Sequence, residues 1–83
     1  MANLPRDPLA TLPNITELIE QDGQITLGHV TPIGCVAVAN DEDNCLAALK
    51  RRPGESLQQL LVRLDAAIAR AWDDDYFADE ING

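Results

Sequence analysis

The chain is poor in the groups that most often carry chemistry. Its 83 residues include one histidine, two cysteines, three aromatics and six basic side chains. Each scarcity closes a route. Cys35 and Cys45 are too few for a disulfide framework, and with His29 as the only histidine no metal-ligand spacing surrounds them. No metal or cofactor is expected, and both thiols read as reduced in a cytoplasmic protein. There is no glycine-rich phosphate loop and no nucleophile elbow. The simplest nucleophilic arrangement is His29 acting on Cys35 or Cys45. A cysteine among valines and alanines reads instead as an inert core residue.

Positive charge is scarce as well. Six basic against fourteen acidic residues leave a net charge of −8. Such a field repels nucleic acid and anionic membranes, so neither is expected as a direct partner. No apolar run is long enough to span a bilayer. The opening MANLPRDPLATLPN carries Pro5, Pro8 and Pro13 and lacks the charged-then-apolar pattern of a signal peptide.

What is present is an aliphatic domain. Hydrophobic residues make up 46% of the chain, enough for a globular core. A domain this short buries only about 60% of its unfolded surface, which makes a dimer attractive as further burial. Residues 1–13 read as an extended arm from which Leu9 and Leu12 can dock. NITELIEQDG reads as a helix with Asn14 as N-cap, Glu17 completing a capping box and Gly23 as the left-handed stop. The alternative is a strand paired through the Asp22-Gly23 turn. QITLGHV alternates as a strand, with Ile25, Leu27 and His29 on one face. TPIG is a turn, and GCVAVAN is a second strand, apolar on both faces and therefore central. CLAALKRR reads as a third antiparallel strand, with a helix as the alternative.

Pro53 and Gly54 end that element. Ser56 then caps the clearest helix of the chain, with Gln59 in the capping-box position. Leu57, Leu60, Leu61, Leu64, Ile68, Ala71 and Trp72 fall on one broad stripe suited to covering a sheet. Val62, Ala66 and Ala69 form a small-residue flank. That flank is either a solvated face or a close contact with a second subunit. The expected fold is α+β in two layers: a short N-terminal helix, a three-stranded antiparallel sheet and a long C-terminal helix on one face. Residues 14–72 form the domain and residues 73–83 an acidic-aromatic tail.

That tail, AWDDDYFADEING, holds every aromatic residue, Trp72, Tyr76 and Phe77, around Asp73, Asp74 and Asp75. The aspartates oppose the macrodipole of a preceding helix but favour the start of a following one. A short helix over YFADEI is therefore expected, folding the aromatics back onto the core. The alternative leaves them exposed as anchors ringed by charge. Asp41, Glu42 and Asp43 form a second acidic run, and neither run has the alternate ligands and central glycine of a calcium loop. Lys50, Arg51 and Arg52 are the one patch of opposite sign. They form a solvated end, an anion site, or a contact for the acidic tail.

RRPGESLQQLLVRLDAAIARA together with DEIN resembles small uncharacterised proteins of proteobacterial plasmids and integrated elements. The likeness spans Arg51 to Ala71 and Asp79 to Asn82. It implies no activity, only an accessory protein of a mobile element. The leading expectation is a non-enzymatic protein-interaction module, a homodimer, with Trp72 to Phe77 facing a partner and Val62, Ala66 and Ala69 at the dimer face. One alternative is an acidic nucleic-acid mimic that blocks a DNA- or RNA-binding protein. A second is a small-ligand domain or enzyme with a pocket near His29, formed with Thr26, Thr31 or Cys35.

Overall fold

The computed structural model describes residues 12–81. Within them the chain forms α1 (Pro13–Glu20), β1 (Gln24–Val30), β2 (Gly34–Asn40), β3 (Cys45–Lys50), α2 (Leu57–Asp74) and β4 (Ala78–Asp79). The strands lie in the order β1-β2-β3-β4; the first two pairings are antiparallel and the last is parallel. The class is α+β, as expected. The sheet, however, has a fourth strand and is mixed, which corrects the three-stranded antiparallel expectation. The reason lies in α2. Its 18 residues carry the chain back along the sheet for about 27 Å, so the segment leaving it runs beside β3 in the same direction.

α1 is the helix rather than the strand alternative, but its start differs from the expected one. Leu12 occupies the N-cap position without a side-chain cap bond, and Pro13 fills the first helical turn, where a missing N–H costs nothing. Asn14 thus lies inside the helix and forms no capping box with Glu17. The cap comes from another element. Asp65 of α2 accepts the backbone N–H groups of Asn14 and Ile15, each at 2.8 Å, on Oδ1, and Asn14 Nδ2 at 3.0 Å on Oδ2. A carboxylate at the positive end of a helix is favourable, and here it is buried, with 7% of the residue exposed. The left-handed residue at the far end is Asp22 (φ 70°), not Gly23. Gly23 is needed for space instead: its N–H donates to Leu18 O at 2.8 Å, and a Cβ there would run into the Leu18 side chain.

β2 and β3 are the inner strands. The ladder between them skips Leu46: Ala39 faces Ala47 and Asn40 faces Cys45. That bulge lets the consecutive residues Leu46 and Ala47 both join the core. The core is aliphatic. Leu60, Leu64 and Ile68 of α2 are fully buried over Ala37, Ala39 and Ala47 of the sheet, with Leu18 of α1 closing one side. Of the expected stripe, Ala71 is also buried and Leu61 and Trp72 partly so, whereas Leu57 is exposed. The expected N-terminal arm lies outside the described residues except for Leu12, which packs into the core, and Pro13, which is helical.

Candidate partner-binding surface

α2 begins as its sequence dictates. Ser56 Oγ accepts the Gln59 N–H at 3.0 Å, and Gln59 Oε1 accepts the Ser56 N–H at 2.8 Å, which completes the capping box. The helix does not stop at Trp72 but runs on through Asp74. Asp75 then turns left-handed (φ 54°), and Tyr76 N–H reaches back to Arg70 O at 3.2 Å. The expected second helix over YFADEI is absent. Ala78 and Asp79 pair with Ala47 and Ala48 as β4 instead. Once the left-handed turn aims the chain along the open edge of β3, that edge supplies backbone partners which a single helical turn would forgo.

The tail therefore folds back through its backbone, while its aromatics divide. Trp72 is half-buried against the core, whereas Tyr76 and Phe77 are each 51% exposed. The Arg70 guanidinium lies 4.5 Å from the centre of the Tyr76 ring, within cation–π range. Asp73, Asp74 and Asp75 are exposed, and Asp74 approaches Arg70 at 4.0 Å. On the adjoining face of α2, Val62 and Ala66 are exposed and Ala69 is half-buried. Ala66 and Tyr76, read from sequence as parts of two separate surfaces, line one groove of about 310 Å³ between α2 and β4, with Leu49, Ala67 and Ala78 also in its lining.

The tail's meeting with the basic run is made by Glu80. Its N–H donates to Ala48 O at 2.7 Å, extending the β4 pairing by one bond. Glu80 Oε1 accepts the Lys50 N–H at 2.9 Å, and Oε2 accepts from Arg63 at 2.9 Å and lies 3.6 Å from Arg52. Arg63 is the hub. Its Nε and Nη2 also grip both oxygens of Glu55, at 2.7 and 3.0 Å, and Nη2 donates to Lys50 O at 2.9 Å. Sequence reasoning missed this cluster, because its carboxylates stand 8 and 17 residues from Arg63 in the chain, at no helical or strand spacing.

These contacts set the charge states. The hydrogen bonds from Arg63, then the Arg52 N–H, hold the Glu55 carboxyl down to about 2 from its ordinary 4.5. Glu55 in turn raises Arg63 further above its usual range. For Glu80, burial opposes ionisation, but the Lys50 N–H and the Arg63 and Arg52 charges outweigh it and lower the carboxyl. Both carboxylates thus stay ionised in the fold at pH values where the unfolded chain has already taken up protons. The stability Glu55 contributes is present above about 4.5 and is lost as the pH falls toward 2, and Glu80 adds to it in the same direction. Urea unfolding at pH 5 and pH 3 checks this. The midpoint is expected to fall on acidification, and to fall less in Arg63→Met, which removes the Arg63 hydrogen bonds and charge from both carboxyls and leaves only the backbone N–H groups and Arg52 to lower them.

The remaining candidates are dispersed. His29 faces Cys35 across the β1–β2 ladder but is exposed on the edge strand, and neither it, Thr26 nor Thr31 lines a described cavity. A wider cleft of about 670 Å³ is lined by Cys35 together with Lys50, Arg51 and Arg52. Cys45 is exposed. In the run Asp41 to Asp43, Asp41 Oδ1 is occupied by the N–H groups of Asp43 and Asn44 at 2.8 and 2.7 Å, an ordinary turn. Among the described residues no group of three or more His, Cys, Asp or Glu is placed to hold a metal ion, and no helix is long and apolar enough to cross a membrane. No protein-family model matches the chain, and no curated protein or solved structure matches it.

Proposed function

We propose that this protein is a non-enzymatic interaction module that docks a protein partner on the surface shared by α2 and the turn into β4. The observation that carries this reading is the exposure of Tyr76 and Phe77, 51% each, in a domain whose core is otherwise aliphatic. Aromatic side chains are large, stiff and amphipathic, and they supply a disproportionate share of binding energy at protein interfaces. Ala66, Ala67 and Ala78 give the neighbouring groove apolar surface, beside Arg63, Arg70 and Glu80 in the same lining. Asp73, Asp74 and Asp75, exposed just before Tyr76 in the chain, favour a partner whose contact surface is basic. Of the flank Val62, Ala66 and Ala69, considered from sequence as a dimer face, Ala66 lines this groove.

The test compares the full chain with a Tyr76→Ala/Phe77→Ala double variant in affinity capture from the native host. Both rings are half in solvent, so the variant is expected to keep its circular dichroism spectrum and lose its captured partner. A hot-spot pair costs about 2 kcal/mol or more, roughly 30-fold in affinity. Equal capture by both proteins would remove this surface from recognition. The second reading, an acidic mimic of a nucleic-acid backbone, is supported by the contiguous exposure of Asp73, Asp74 and Asp75. It requires that the captured protein bind nucleic acid and that nucleic acid compete for it.

A further inference from the structure

The two edges of the sheet are finished differently. On one side β4 and the Glu80 carboxylate cover the backbone of β3. On the other, β1 pairs only with β2 among the described residues, leaving its outer row of backbone N–H and C=O groups open. Exposed edges are normally blunted by lysine, proline, a bulge or short length, because an open ladder recruits further strands. β1 has none of these. It runs for seven residues, QITLGHV, with no charged residue and no proline, and its pairing with β2 continues without a register break from Gln24 to Val30. Five of its seven residues are exposed, among them Leu27 at 41% and Val30 at 39%.

Charge selects the occupant. A side chain can satisfy single groups of an edge, as Glu80 does on β3, but an uninterrupted seven-residue ladder is matched in full by another strand. For two bodies of net charge −8, approach is repulsive wherever carboxylates face one another. β1 is the open edge from which carboxylates are missing, so a second copy can meet the first there without bringing like charges opposite each other. With seven residues, β1 can also pair with its own copy about its middle residue. Antiparallel pairing centred on Leu27 sets Leu27 beside its own counterpart, Ile25 beside His29, Thr26 beside Gly28 and Gln24 beside Val30. The same patch serves both copies, as a two-fold interface requires.

We propose that two copies of this chain pair β1 to β1, antiparallel about a two-fold axis at Leu27, joining their four-stranded sheets into one of eight strands (2 × 4). The pairing buries Leu27 against itself and adds the burial that a domain of this size otherwise lacks. It stands independently of the α2–β4 partner surface, which lies across the sheet and stays open in such a dimer.

Sedimentation velocity of the full chain at physiological salt, across a concentration series, tests the proposal. The expected species is about 18 kDa, twice the 9.0 kDa chain. Thr26→Lys and Leu27→Lys place like charges across the axis and are expected to sediment as folded monomers, with self-affinity reduced at least about 100-fold. Val62→Lys, on the outer face of α2, is expected to remain dimeric. In the wild type, hydrogen exchange of alternate β1 amides is expected to slow as concentration rises. A wild type that is monomeric throughout overturns the proposal. So does a dimer that survives both β1 substitutions, or one abolished by Val62→Lys, which would place self-contact on α2 instead. Because Tyr76 and Phe77 do not enter the β1 contact, loss of partner capture in their double variant leaves this dimer expected unchanged.

Discussion

Leu64→Ala is expected to lower the free energy of unfolding by about 2–5 kcal/mol. Leu64 sits midway along α2, fully buried between Leu60 and Ile68 and over a floor built largely of Ala37, Ala39 and Ala47. Alanine side chains have no rotamers with which to reach into a void, so the space left by the lost isobutyl group stays largely open and its lining forfeits contact. The loss is large against the whole. At roughly 0.05–0.15 kcal/mol per residue, a domain of this size holds only about 4–12 kcal/mol. Urea titration is the measurement: the midpoint should drop steeply with the slope unchanged. Val62→Ala, at a position 47% exposed, is the comparison and should stay within about 0.5 kcal/mol of the wild type. Similar losses at the two positions would mean that Leu64 is not a core residue.

Asp65→Ala is the second large effect. It leaves the N–H groups of Asn14 and Ile15 and the side-chain amide of Asn14 without their acceptor. An unsatisfied buried donor costs about 1–3 kcal/mol, and water reaches the half-buried Asn14 more easily than the buried Ile15, so a total of about 2–4 kcal/mol is expected. Asp65→Asn keeps one acceptor oxygen at nearly the same size and should lose less. The order aspartate, asparagine, alanine in unfolding free energy is the signature of a cap. Equal losses in the two variants would assign the role to charge alone.

Asp65 also marks the boundary between what the sequence states and what it withholds. Nothing within LVRLDAAIAR marks Asp65 as a cap, because the N–H groups it accepts lie 50 residues away. Local chemistry was legible wherever both halves of an interaction fell within a few residues. The capping box of Ser56 and Gln59 and the spacing of Leu60, Leu64 and Ile68 located α2, and the alternation of QITLGHV located β1. Misreadings arose where a nearby feature offered a plausible substitute for a distant one. Asn14 looks like an N-cap until Asp65 supplies the cap from outside. Gly23 looks like a left-handed stop although Asp22 takes that conformation. YFADEI has favourable helix-start chemistry, yet a two-residue strand has no periodicity to read, and only the open edge of β3 explains β4.

The candidate surface was legible as residues and not as geometry. Tyr76, Phe77 and the three aspartates were visible as a cluster. Their position beside Ala66 depends on the turn at Asp75. The anchoring of the turn's far side depends on Arg63, which in sequence is one basic residue among leucines. Lys50, Arg51 and Arg52 stand out in the sequence as a triplet, yet among the side chains it is Arg63 that holds the tail's glutamate most closely.

The bond between Asp65 and α1 has a kinetic side. Eight residues make too short a helix to persist alone in water, and the residue that caps this one stands 51 positions beyond Asn14. α1 is therefore expected to settle after α2 has formed and closed that long loop, late in folding, and to detach early. Damage to α1 would leave the rate of folding nearly untouched and shorten the lifetime of the native state.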